Sequence, residues 1–190
     1  MNAPREGFND VVCAKAAPDI FLLPGHWWFG SRAAAIRTLL GSCVAVSLWH
    51  PGLRLGGMCH YVLPRRDLRL HLALDGRYGD EAMELLVAAL KSAGTRSRDF
   101  EARLWGGAAM VEESSAHAMN IGARNAARGR WLLRQHGFRL TQIDVAGTRH
   151  RRIELTLADG AVKVRYGAGS AQAAESPDGG SCGPNAGLQN

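Results

Sequence analysis

The sequence predicts an α+β or mixed α/β domain built as a layered sandwich of mixed β-sheet with flanking helices. Three observations carry that prediction: several short β-type apolar runs, two amphipathic helical segments set apart from each other, and glycine- or proline-marked turns between them. A chain of 190 residues is most economically one domain with its own core. The hydrophobic share of 46% and charged share of 21% exclude wholesale disorder, so the 23 glycines must concentrate in turns and in some unstructured stretch.

Residues 1–19 lack a sustained period and are expected to form a flexible lead-in. Ile20-Phe21-Leu22-Leu23 is a short apolar run stopped by Pro24-Gly25. The following His26-Trp27-Trp28-Phe29-Gly30 reads as an aromatic loop whose tryptophans belong to the core. Residues 33–40 fit strand or helix, whereas residues 43–48 read as a strand with Val44 and Val46 on one face and Cys43, Ala45 and Ser47 on the other. A turn at Pro51-Gly52 leads to a second strand over residues 55–63.

The best helix covers residues 80–93, with an apolar stripe of Ala82, Leu85, Leu86, Ala89 and Leu90, Asp80 as N-cap and Gly94 as stop. A strand over residues 102–105 ends at Gly106-Gly107, and a second helix runs over residues 122–136 to a Gly137 C-cap. Three further strands follow at residues 138–145, 152–157 and 162–166, the last two joined by an Asp159-Gly160 turn. From Gly167 the chain is Gly, Ala, Ser, Pro and Asn with almost no large apolar residue, so residues 20–166 are expected to form the domain and residues 167–190 a disordered tail.

A net charge of +6 favours acidic partners, although charge speaks to association and not to fold. The densest basic spots, Arg65-Arg66 and Arg149-His150-Arg151-Arg152, lack the stacking aromatics, zinc pattern or helix-turn-helix cue of a nucleic-acid binder. Gly56-Gly57 and Gly106-Gly107 lack the order of a phosphate cradle and read as turns or close-packed backbone. Cysteines at 13, 43, 59 and 182 show neither zinc spacing nor a disulfide framework, so reduced thiols, no metal and no cofactor are expected. The absence of a signal-peptide pattern and of a long apolar run points to the cytoplasm.

Cys43 and His60 are the residues with chemistry to offer. If the hairpin is centred between Pro51 and Gly52, they stand directly opposite each other with Cβ atoms about 4.5–5.5 Å apart. A thiol is a nucleophile only as thiolate, so an adjacent imidazole is the minimum equipment for attack on a carboxamide, and the same imidazolium can protonate the departing ammonia. The oxyanion formed in that attack needs N–H donors, which the Gly41-Ser42-Cys43 backbone can supply, with the Ser42 hydroxyl as a further donor. Thr38 and Ser42 are candidates to orient the imidazole; Thr38, at an odd offset from Cys43, can contribute only if the chain turns or bulges near Gly41. The competing reading makes Cys43 a small core hydrophobe and His60 a half-buried structural histidine.

The segments Thr38-Leu39-Leu40-Gly41-Ser42-Cys43-Val44-Ala45-Val46 and Gly56-Gly57-Met58-Cys59-His60-Tyr61-Val62-Leu63-Pro64 resemble the signature of the CheD family of chemoreceptor glutamine deamidases. Leu23-Pro24-Gly25-His26-Trp27-Trp28, Tyr78-Gly79-Asp80-Glu81-Ala82-Met83, Gly106-Gly107-Ala108, Asn120-Ile121-Gly122-Ala123-Arg124-Asn125 and the 147–153 segment resemble it in the same order. The resemblance implies a CheD-like fold and hydrolysis of particular glutamine side chains of methyl-accepting chemotaxis receptors to glutamate and ammonia. It implies Cys43 as nucleophile and His60 as base, and a threonine a few positions before the cysteine as third residue; Thr38 is the threonine available, while some members carry theirs where this chain has Arg37. It also implies a CheC-type phosphatase as a possible second partner, so a non-catalytic adaptor docking on receptors or on such a phosphatase is the alternative from a different class.

Overall fold

The computed structural model describes residues 17–67, 73–109 and 121–167. Its elements in chain order are β1 (Ile20–Leu22), β2 (Trp27–Gly30), β3 (Ala35–Leu40), β4 (Val44–His50), β5 (Leu55–Tyr61), α1 (Gly79–Ser92), β6 (Glu101–Gly106), α2 (Ile121–Gln135), β7 (Arg139–Val145), β8 (Arg151–Thr156) and β9 (Val162–Tyr166). The lead-in expected before residue 17 and the tail expected after residue 167 lie outside the described residues.

These elements stack in three layers. A four-stranded sheet of order β1-β3-β8-β9 faces a five-stranded sheet of order β2-β5-β4-β6-β7, and both mix parallel with antiparallel pairs. The helices cover the outer face of the five-stranded sheet, α1 on β2 and β5, α2 on β4, β6 and β7. Strict alternation along β4 and β5 makes this possible, because both faces of the central sheet are buried. Val44, Val46, Leu48, Cys59 and Tyr61 pack with Leu86, Leu90, Leu104 and Leu133 beneath the helices, whereas Ala45, Met58 and Trp105 pack with Ile36, Leu40, Ile153 and Leu155 between the sheets. Each such aliphatic side chain taken fully out of water contributes roughly 1.5–3 kcal/mol.

Several sequence expectations need correction. Residues 27–30 form an edge strand, in which Trp27 pairs with Cys59 and stays 37% exposed instead of entering the core. Helix α1 begins at Gly79 after a Tyr78 N-cap with no side-chain cap bond, so Asp80 sits in the first turn, where it binds Arg128 of α2 through two oxygens at 2.6 and 2.7 Å. The buried face of α1 is Ala82, Met83, Leu86, Val87 and Leu90, rotated from the predicted stripe so that Leu85 and Ala89 are only half-buried. The hairpin between β4 and β5 pairs Ala45 with His60 and His50 with Leu55, which centres it between Gly52 and Leu53. Its four-residue turn closes with Arg54 at φ 49, a left-handed arginine that a search for glycine or asparagine does not find.

Among the described residues no helix is long and apolar enough to cross a membrane.

Candidate active site

The corrected hairpin register moves Cys43 one step away from the place opposite His60, yet leaves both on the same side of the sheet. Ala45 is the partner of His60, and Cys43 precedes Ala45 by two residues, so it becomes the diagonal neighbour on the layer between the sheets. Cys43 packs, partly buried, against the cluster that contains Ala45, Met58 and Trp105. Cys59 points the other way into the helix-covered core, where complete burial pushes its thiol up to about 12.

Thr38 reaches His60 from the opposite sheet. It lies between Ile36 and Leu40 on β3, whose inward positions face the same inter-sheet layer. The chain then leaves the four-stranded sheet, bends through Gly41, Ser42 and Cys43, and enters the five-stranded sheet at Val44, which is the turn near Gly41 that Thr38 needed. As a result Thr38 Oγ1 stands 2.8 Å from His60 Nδ1, both residues buried.

The proton positions in this contact follow from counting. A threonine hydroxyl has one hydrogen, and Thr38 Oγ1 donates it to the carbonyl of Leu22 at 2.9 Å, Leu22 being the register partner of Thr38 across the parallel β1–β3 pair. Oγ1 can then only accept from His60, so Nδ1 carries the imidazole hydrogen and Nε2 keeps its lone pair. Nε2 is buried with no hydrogen-bond partner among the described residues, and no hydrogen bond joins it to Cys43 Sγ.

Burial dominates the titration of both groups. It lowers His60 from 6.5 to about 4, against a smaller upward pull from the Leu22 carbonyl and with a further lowering from His26. Burial likewise raises the Cys43 thiol above its ordinary value. The resting pair at neutral pH is therefore thiol and neutral imidazole, not thiolate and imidazolium.

Around the thiol the backbone is fixed by three successive carbonyls. Those of Gly41, Ser42 and Cys43 accept from Ala108 N at 2.9 Å, Asn125 Nδ2 at 3.2 Å and Gly107 N at 2.8 Å. A planar trans peptide sends its N–H opposite to its C=O, so the amides of Ser42 and Cys43 are turned away from those partners. Gly106 holds this packing at φ 104, and a Cβ there would overlap the Cys43 carbonyl oxygen. Arg151, 4% exposed, clamps the same turn by donating to the carbonyls of Gly106 and Ala146 and pairing with Asp144.

The sequence alone assigns Asn125 no separate role. It sits in the buried stripe Gly122, Asn125, Ala126, Gly129, Leu132 and Leu133 of α2, an amide on an otherwise small and apolar face, and that break in the pattern is its signal. Its Nδ2 also donates to Val62 O at 2.7 Å, and its backbone carbonyl accepts from the buried Tyr61 hydroxyl at 2.8 Å, which ties the segment after His60 to the loop that carries Cys43. Among the described residues no cluster of His, Cys, Asp or Glu converges to hold a metal ion.

The sequence profile described as CheD, CheD chemotactic sensory transduction, matches residues 62–166, a span that begins just after His60. Similarity to whole proteins reaches further. The probable chemoreceptor glutamine deamidase CheD 3 of Dechloromonas aromatica is 42% identical over 152 residues, which is 80% of this chain and 89% of that protein. A stretch of 152 residues in a chain of 190 necessarily takes in residues 39–152, and with them Cys43 and His60. The probable chemoreceptor glutamine deamidase CheD of Pseudomonas syringae pv. tomato is 41% identical over 79% of this chain and 90% of its own length, and a Leptospira interrogans protein of the same description, CheD 1, is 33% identical over 77% and 91%. Identity at this level over nearly the whole of such proteins, together with the profile match, means that the chain belongs to the CheD family.

Proposed function

We propose that this chain is a chemoreceptor glutamine deamidase that works in the cytoplasm, with Cys43 as nucleophile, His60 as proton carrier and Thr38 as the residue that fixes the imidazole. The observation that carries the catalytic assignment is the buried Nε2 of His60, without a hydrogen-bond partner among the described residues and with its lone pair set by the Thr38 contact, on a residue whose sheet face Cys43 shares. Family membership supports the substrate class.

The chemistry runs in two halves. Sγ of Cys43 attacks the carboxamide carbon of a receptor glutamine as its proton passes to His60 Nε2; because both groups rest neutral, proton transfer accompanies the attack. The Cys43–Nε2 hydrogen bond that this step requires forms when substrate closes the site, as loose catalytic contacts do in unliganded enzymes. Negative charge on the carbonyl oxygen is met by the Ser42 and Cys43 amides, with Gly41 leaving the approach open. The imidazolium, held through Nδ1–H to Thr38 and onward to Leu22, returns its proton to the nitrogen, and ammonia leaves a thioester on Cys43. Water, deprotonated by Nε2, attacks that thioester and releases glutamate and the free thiol.

A lone glutamine has little to distinguish it, so selection rests on the receptor helix around it. A CheC-type phosphatase is proposed as a second partner on the strength of the family alone. The test is incubation of the purified chain with a receptor cytoplasmic fragment, followed by peptide mapping of glutamine-to-glutamate conversion. Conversion that is lost in Cys43→Ala supports the assignment; equal conversion by Cys43→Ala overturns it, and binding without any conversion establishes the adaptor instead.

A further inference from the structure

The outward face of the four-stranded sheet is organised in cross-strand rows, and two neighbouring rows differ in a way that asks for a ligand. In one row Arg37 on β3, Glu154 on β8 and Lys163 on β9 stand side by side. Glu154 accepts from Arg37 at 2.8 Å and lies 3.7 Å from Lys163, and Asp19 binds Arg37 from the other side at 2.6 Å. Two cations and two carboxylates cancel there. In the next row Leu39, Arg152 and Arg165 stand side by side, and no carboxylate accompanies them.

Arg152 and Arg165 are direct register partners on β8 and β9, which brings their Cβ atoms to about 4.5–5.5 Å, a placement that is unfavourable for like charges. Both are exposed, and among the described residues neither makes an ion pair; Arg165 only feels the charge of Glu154 diagonally. The two arginines line a shallow depression of about 320 Å3 with Arg37, Glu154 and Lys163, and a second of about 250 Å3 with Leu39, His150, Tyr166 and Gly167. With the neighbouring row already balanced, the uncompensated charge among the described residues of this face is that of two guanidiniums.

We infer that Arg152 and Arg165 form a binding site for a dianionic phosphoryl group on the outer face of this sheet, the reverse side of β3 from Thr38. Two planar forks side by side match the several oxygens of a phosphate, and a dianion neutralises both where a single carboxylate would leave one charge standing. Arg37 and Lys163 flank the position and add to its attraction, while Leu39, 45% exposed at the row's other end, offers an apolar surface to whatever carries the phosphoryl group. The phosphoryl group can arrive on a small molecule or on a phosphorylated protein segment, and the chemistry of capture is the same. The inference does not depend on Cys43 being a nucleophile.

Calorimetric titration at constant ionic strength tests it, with inorganic phosphate, phenyl phosphate, a phosphoserine peptide and acetate as separate probes. Saturable binding of one phosphoryl group per chain is expected, weakened about tenfold or more in the Arg152→Gln, Arg165→Gln double variant and unchanged in Arg149→Gln. Binding of the peptide without free phosphate assigns the group to a protein; comparable binding of free phosphate assigns it to a small molecule. Acetate binding as tightly as phosphate, unchanged binding in the double variant, or no binding of any phosphoryl probe overturns the site. Arg165→Glu gives a second reading: by completing the row as Glu154 completes its own, it should raise the melting temperature in phosphate-free buffer and abolish the phosphate response, and an unchanged melting temperature overturns the charge argument.

Discussion

Thr38 and His60 belong to different sheets and meet at 2.8 Å through Oγ1 and Nδ1, so a single hydrogen bond across the inter-sheet layer sets the imidazole tautomer. The contact requires the chain to change sheets between them, through Gly41, Ser42 and Cys43. The bend that carries the thiol and the bond that prepares the imidazole are therefore parts of one crossover.

Replacing Thr38 by Val removes the acceptor for Nδ1–H at nearly constant volume. The expected result is a loss of roughly 10²-fold in kcat for receptor deamidation with KM little changed, since Thr38 is fully buried and acts through the imidazole, while Thr38→Ser keeps most of the activity. Steady-state kinetics on a receptor fragment separates the two parameters.

Alkylation of Cys43 should follow a single rise with pH, centred above the ordinary thiol range, because burial raises the thiol and keeps His60 neutral. A reactive plateau at acidic pH, the mark of a preformed thiolate–imidazolium pair, is not expected. The rate of iodoacetamide modification between pH 5 and 10, read at Cys43 by mass spectrometry, decides this.

His60 also links stability to pH. Its folded value of about 4 lies below its unfolded 6.5, so between those values the unfolded chain binds the extra proton and folding loses free energy as pH falls. The contribution is fully present above the unfolded value and, lost progressively toward pH 4, is worth about 3 kcal/mol at most. Denaturant unfolding at pH 7.5 and pH 5 should show a drop in wild type that is smaller in His60→Gln.

Asn125→Leu leaves the carbonyls of Ser42 and Val62 without their amide donor. The expected cost is about 2–4 kcal/mol of stability, with a fall in deamidation at temperatures where the variant is still folded, because the Cys43 loop loses one of its three carbonyl ties. Chemical denaturation and activity at low temperature measure the two effects separately.

How much of this was legible in the sequence depends on how local each feature is. Strands β4 through β9 and both helices show in alternation, helical stripes and glycine stops, because those are properties of the segment itself. Strand β2 does not, since Trp27–Gly30 is short, aromatic and held only by pairing with β5. The hairpin centre depends on Arg54 in a left-handed conformation, which its residue type does not announce. The shared face of Cys43 and His60 survived that slip because alternation and the one-residue shift place Cys43 two positions from the partner of His60. Proximity alone makes Thr38 a candidate, but only the three-dimensional change of sheet shows that an odd offset brings it to the same layer.

The imidazole tautomer on which the chemistry rests is read from the nitrogen shifts of His60 in a 15N-histidine-labelled sample. Nδ1 should be protonated and pyrrole-like and Nε2 unprotonated and pyridine-like, unchanged from pH 7.5 down to about pH 5. A hydrogen on Nε2 in that range, whether from the other tautomer or from an imidazolium, would contradict it.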